Sequence, residues 1–162
     1  MIHKSSIPLL VLNPTAKSNS SIKKILYAAD FEQENDPGFI QALELAKKVG
    51  AKIVVLHCAG PMYEWPETPR EPAIAKHKLA VNKKALSAAR AARLAGVEAE
   101  VLIDAKLEEA SKTVLKYAAM KKVDLIVLNA KVGRFQALLG GSTTRKVLRA
   151  ANTPVLVLKA KK

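Results

Sequence analysis

Short apolar runs alternate with segments of helical periodicity along most of the chain, and this alternation constrains the fold more than any other feature. Such an order argues for βα units and a parallel sheet. Ile25 to Ala29 is a first buried-strand candidate, and Asp30 ends it. Asp36-Pro37 then supplies a helix N-cap with proline at the first helical position. Phe39, Ala42, Leu43, Ala46 and Val49 recur at helical spacing, and Gly50 is placed to stop the helix. Ile53 to His57, rich in β-branched residues, reads as the second strand.

Residues 59–73 interrupt the rhythm with Pro61, Pro66, Pro69 and Pro72, which predicts an irregular surface loop carrying Tyr63 and Trp65. A long helix is expected from about Ile74 to Ala95, with Val81, Ala85, Ala88 and Ala92 on one face and Gly96 at its end. In the strand expected from Val97 to Ile103, Val97, Ala99, Val101 and Ile103 alternate with Glu98, Glu100 and Leu102. That pattern suits a place near the sheet edge. Leu107, Ala110, Val114 and Tyr117 mark a further helix. Leu125 to Leu128 reads as a buried strand, Thr144 to Ala151 as a short helix and Val155 to Leu158 as the closing strand.

One internal similarity stands apart. Ser6-Ile7-Pro8-Leu9-Leu10-Val11-Leu12 resembles Asn152-Thr153-Pro154-Val155-Leu156-Val157-Leu158, proline for proline and apolar for apolar. Asn13 to Ser21 is polar and linker-like. The chain therefore divides into an extra strand and linker over residues 1–21, resembling the end of a preceding tandem domain, and a complete domain over 22–162. An open parallel sheet that ends on an apolar strand exposes unpaired amides, so a homodimer is expected with Val155 to Leu158 at or near its boundary. Ile7 to Leu12 is the second candidate for covering that edge.

Composition limits the function classes. At 162 residues the chain suits one self-sufficient core, and 49% hydrophobic with 25% charged residues is an ordinary globular balance. No apolar run approaches the ~20 residues that span a bilayer, and Ile7 to Leu12, broken by Pro8, is not followed by a signal-cleavage pattern. Cys58 is the sole cysteine, which excludes an intrachain disulfide and agrees with a reducing cytoplasm. The net charge of +13, from 27 Lys+Arg against 14 Asp+Glu, favours anionic partners or simply a well-solvated basic surface. With aromatics at 4% and no arginine-and-aromatic stripe, specific nucleic-acid binding is not expected.

The segment richest in chemistry is Leu128-Asn129-Ala130-Lys131-Val132-Gly133-Arg134, followed by Leu138-Leu139-Gly140-Gly141-Ser142-Thr143-Thr144. Glycines let backbone amides approach a phosphate, and a helix start adds N–H donors and a favourable dipole. Ser142, Thr143 and Thr144 can donate hydroxyl hydrogen bonds, and Lys131, Arg134 and Arg145 can neutralise charge. A tight turn into an N-capped helix would use the same residues. Asp30, at the carboxyl end of a strand, can accept from a ribose or an adenine amino group, or cap local amides. His57 and Cys58 are adjacent on a strand and face opposite sides, so they form neither a joint metal site nor a catalytic pair. They read as a hydrogen-bonded structural histidine and a small buried thiol. His3 and His77 lack ligand spacing, so no metal is expected. No nucleophile elbow occurs, and Glu108 and Glu109 suit a helix start. The residues point to binding rather than catalysis.

Taken in order, Ile22-Lys23-Lys24-Ile25-Leu26-Tyr27-Ala28-Ala29-Asp30-Phe31, Ala42-Leu43-Glu44-Leu45-Ala46, Leu56-His57, Val123-Asp124-Leu125-Ile126-Val127, Gly141-Ser142 with Val147-Leu148-Arg149, and Pro154-Val155-Leu156-Val157 resemble the universal stress proteins. The resemblance implies an open five-stranded parallel α/β sheet flanked by helices, Rossmann-like, to which the extra amino-terminal strand is added. It also implies a dimer paired through closing strands, and either ATP binding, with or without Mg, or a regulatory role without ligand. The implied nucleotide-binding residues are Ala28, Ala29, Asp30, Cys58, Asn129, Lys131, Gly133, Gly141, Ser142 and Thr143. The ATP-binding pattern G-x2-G-x9-G-(S/T) is met only at its end, by Gly141 and Ser142. Asn129 stands at the first glycine and Val132 at the second, Gly133 comes one residue late, and the stretch to Gly141 is one residue short.

Asparagine tolerates a left-handed backbone moderately well and β-branched valine poorly. Restoring the pattern with Val132→Gly is therefore expected to leave the fold intact and to tighten ATP binding, read as a larger thermal shift with ATP. Loss of the ligand response would show that the native loop uses Val132 productively.

Overall fold

The computed structural model describes residues 8–14, 21–29, 31, 36–58, 71–105, 108–130 and 142–159. Six strands and four helices follow one another as β1 (Leu9–Val11), β2 (Lys24–Ala29), α1 (Pro37–Val49), β3 (Lys52–Cys58), α2 (Glu71–Leu94), β4 (Ala99–Asp104), α3 (Ala110–Met120), β5 (Leu125–Ala130), α4 (Ser142–Ala150) and β6 (Val155–Lys159). The sheet order is β1-β6-β5-β2-β3-β4. All neighbours pair in parallel except β1, which runs antiparallel to β6.

Side chains of the central strands alternate between two cores. Ile25, Tyr27, Ile53, Val55, Leu125 and Val127 meet α1 and α2 through Ala42, Leu43, Ala46 and Ala92. Leu26, Leu56, Ile126 and Leu128 meet α3 and α4 through Val114, Ala118, Val147 and Ala151. Near-continuous apolar runs in β2, β3 and β5 are thus explained by burial on both sides.

Several boundaries differ from the sequence expectation. The long helix starts at Glu71, so the last three residues of the expected loop are helical. Pro72 is tolerated there because first-turn amides have no intrahelical acceptor. Residues 59–70, with Tyr63 and Trp65, lie outside the described residues, as do His3 and Leu107. The third helix begins at Ala110 with Glu109 at its N-cap, and its acid bonds Ser111 Oγ (2.9 Å) and Lys146 rather than the helix amides. β4 is an edge strand as expected, but its alternation fails at the end. Ile103 is exposed, while Leu102 packs on the α3 side and Asp104 is buried.

The start of α1 is tied to two strands. Asp36 Oδ1 accepts from the Gly38 amide (3.0 Å) and from Asn129 Nδ2 (3.0 Å), and Oδ2 accepts from the Tyr27 hydroxyl. The approach is close enough to require glycine, since a Cβ on Gly38 would lie 2.8 Å from both Asn129 Cγ and Tyr27 Oη. At the other end Gly50, at φ +67°, closes the helix in the left-handed region.

Losing an N-cap costs about 0.5–2 kcal/mol. In Asp36→Ala the Tyr27 hydroxyl and the Asn129 amide also lose their acceptor, at about 1–3 kcal/mol for each buried donor left unmade. Urea denaturation is expected to show a destabilisation beyond the cap range, with Asp36→Asn milder. A loss no greater than a cap's would mean the two long-range bonds contribute nothing.

Candidate functional site

Strand order reverses between β2 and β5: from β2 the chain winds outward through β3 to β4, then returns to β5 and winds the other way to β6. The helices that follow β2 and β5, α1 and α4, pack on opposite faces of the sheet, and in doubly wound sheets such a switch point is where a ligand crevice forms. The side chains placed around it come from the ends of β2, β3, β4 and β5 and from the start of α4.

On the α1 side lie Ala29, buried at the end of β2, and Asn129 in β5. Asn129 is a strand residue, paired with Leu158, and is not among the described residues with positive φ. The left-handed conformation considered for it as a glycine replacement is therefore not the one it adopts. Its Nδ2 is given to Asp36, and its Oδ1 is buried with no hydrogen-bond partner among the described residues. His57 also faces this side, with Nδ1 3.0 Å from the Ala29 carbonyl. A carbonyl only accepts, so Nδ1 carries the proton. The Phe31 ring stacks on His57 at 5.0 Å, and the Phe31 carbonyl accepts from Lys84 of α2. Phe31 itself sits at φ 54°, a conformation rare for a non-glycine residue.

On the α3 and α4 side lie Ala28 and Cys58, half-buried against the second core. Cys58 pairs in register with Asp104, which is only 5% exposed. Burial first, and the Asp104 charge second, push the Cys58 thiol from its ordinary 9.0 up to about 12. The hydrogen bond of Tyr117 to Asp104 raises the phenol as well, with burial adding to it. Cys58 is therefore a neutral thiol rather than a nucleophile, and His57 and Cys58 do face opposite ways. Ser142 opens α4, Thr143 is half-buried and Thr144 buried.

The structure thus groups Ala28 with Cys58 on one face and Ala29 with Asn129 on the other. Asp30, Lys131, Gly133 and Gly141 lie outside the described residues, as does Val132. Sequence reasoning missed Asp104 and Tyr117 beside Cys58, and gave Asp36 no role beyond its cap. Asp104 left one signal, an acid closing an apolar strand directly after Ile103. Among the described residues no three His, Cys, Asp or Glu side chains are grouped to hold a metal, and no helix is long and apolar enough to cross a membrane.

This arrangement can be set beside known proteins. The family model described as the universal stress protein family matches residues 21–159. The chain belongs to the universal stress protein family. A universal stress protein structure from Burkholderia pseudomallei superposes with a TM-score of 0.67 at 22% identity, covering 88% of this chain and 99% of that one. The universal stress protein of Archaeoglobus fulgidus in complex with dAMP gives 0.61 at 22%, covering 86% and 98%. A longer universal stress protein from Archaeoglobus fulgidus DSM 4304 gives 0.71 at 20%, covering 99% of this chain but 52% of that one. No curated protein sequence matches the chain significantly. The fold of the family, expected from the resemblance, is the fold observed, with the extra strand β1 added to it.

A neutral, half-buried thiol makes a direct prediction. Iodoacetamide should alkylate native Cys58 slowly from pH 8 to 10, and the rate should rise sharply on unfolding in urea. The sign follows from the raised pKa: the folded protein holds the proton above pH 9.0, where an unfolded thiol has begun to ionise. Native and unfolded rates that agree at alkaline pH would show an exposed thiolate.

Proposed function

We propose that this universal stress protein binds an adenine nucleotide over the carboxyl ends of β2 and β5, and that it acts by binding rather than turnover. The observation that carries the reading is the reversal of strand order between β2 and β5. In doubly wound sheets ligands occupy that crevice. Support comes from the related archaeal structure in complex with dAMP. In this reading Asp30 receives the adenosine part, beside Ala28, Ala29 and Cys58. Gly141, Ser142 and Thr143 hold the phosphates at the start of α4, where unpaired amides and the helix dipole favour anions. Lys131 adds charge, Gly133 takes part in the turn that Asn129 does not make, and ATP, with or without Mg, is the ligand of choice.

A second reading has its own observation. Asn129, at the first glycine of the ATP-binding pattern, is occupied with Asp36 and fills the space beside Gly38. A chain that has turned this position to structural use fits a regulatory interaction module without nucleotide. Both readings place the protein in stress response or signalling, in the cytoplasm.

Titration calorimetry with ATP separates them. Asp30→Ala and Ser142→Ala are each expected to weaken binding by roughly 1 to 3 kcal/mol, the cost of a lost donor or acceptor. Unchanged affinity in both variants would remove the proposed placement. No heat with the parent protein, and no nucleotide carried through purification by mass spectrometry, would leave the second reading.

A further inference from the structure

The strand β1 resembles β6 in sequence and lies against β6. With the prolines aligned, Leu9, Leu10, Val11 and Leu12 correspond to Val155, Leu156, Val157 and Leu158. The observed register is Leu9↔Val157, Leu10↔Leu156 and Val11↔Val155. Replacing each β1 residue by its counterpart turns this ladder into 155↔157, 156↔156 and 157↔155. That is the ladder two copies of β6 would form about a twofold axis through Leu156, the isologous arrangement of a symmetric dimer. The faces agree as well. Leu9 packs against the same core as Val155 and Val157, so the axis would stand perpendicular to one continuous sheet.

What β1 does not reproduce is the helical cover. Leu156 is partly buried and Leu158 only 4% exposed, both against the α1 and α2 core. Their counterparts Leu10 and Leu12 are 55% and 59% exposed. The likeness also stops at Asn13, whose counterpart is Lys159. Asn13 Nδ2 donates to the carbonyls of Leu148 (3.0 Å) and Ala151 (2.7 Å) at the end of α4. It satisfies carbonyls that a helix end leaves open, and it fastens β1 in place.

We propose that β1 is an internal stand-in for the closing strand of a second copy of this chain. Seated, it closes the β6 edge, and the chain does not associate there. Released, it exposes an apolar edge that two copies close by antiparallel β6–β6 pairing with Leu156 on the axis. The expected homodimer through the closing strands is thus held back by the chain's own strand. This inference does not depend on nucleotide binding.

Light scattering on the full chain and on a Leu9→Asp/Asn13→Ala double variant tests it. Leu9→Asp sets a charge against the core and Asn13→Ala removes the latch. The parent is expected to be monomeric at high micromolar concentration. The double variant is expected to dimerise, with amides of residues 155–159 protected from hydrogen exchange in the dimer. Adding a synthetic peptide spanning residues 6–14 should return it to monomer. A folded double variant that stays monomeric, a dimer whose β6 amides exchange freely, or a parent already dimeric through β6 would each overturn the proposal. Should the charge at position 9 prevent folding, Asn13→Ala alone carries the test. Its dimer fraction must exceed the parent's at equal concentration, and no increase overturns the proposal.

Discussion

Burial of β2, β3 and β5 on both faces is the constraint from which the rest of the structure follows. Ile25, Leu26 and Tyr27 are consecutive and all fully buried, which a strand achieves only when each face of its sheet is covered. Two helices must then lie on each side, α1 and α2 on one and α3 and α4 on the other. Right-handed crossovers of one chain reach both sides only by winding outward in two directions. The reversal between β2 and β5 is a consequence of that packing before it is a property of any ligand.

The same packing explains which features were legible in the sequence. Runs such as Ile53 to His57 and Leu125 to Leu128 announce buried strands because each residue faces one core or the other. Helix α1 was legible at both ends because Asp36-Pro37 and Gly50 act locally, through a cap, a fixed φ and a left-handed turn. Helix α2 was placed three residues late because Pro72 reads as a breaker, although a first turn accepts it. In β4 one edge residue, Ile103, is left exposed and an acid, Asp104, is taken inside. Local periodicity carries no sign of the α3 side chains that make this possible.

The site was less legible because its contacts join distant parts of the chain. Asn129 and Asp36 are 93 residues apart, and nothing near either announces the bond between them. Read locally, Asn129 is a poor substitute for glycine. In the folded chain it is an extended strand residue whose amide helps to hold the carboxylate that caps α1. Cys58 shows the converse. Its neighbour His57 already implied opposite faces, but only the register with Asp104 brings a charge beside the thiol.

The two cores also separate the departures from the ATP-binding pattern into distinct physical questions. Asn129 looks towards α1, where its side chain is spoken for by Asp36 and lies close against Gly38. The matching end of the pattern, Gly141-Ser142, leads into α4, and α4 packs on the opposite face with Ala28 and Cys58. A change at position 129 therefore acts on the contact between β5 and the start of α1 and on helix capping, whereas the amides that begin α4 lie on the other face. A glycine at 129 would release the close approach to Gly38 but would also withdraw a donor from Asp36. For this chain the first position of the pattern is a structural link between β5 and α1, and its loss of glycine does not by itself alter the start of α4.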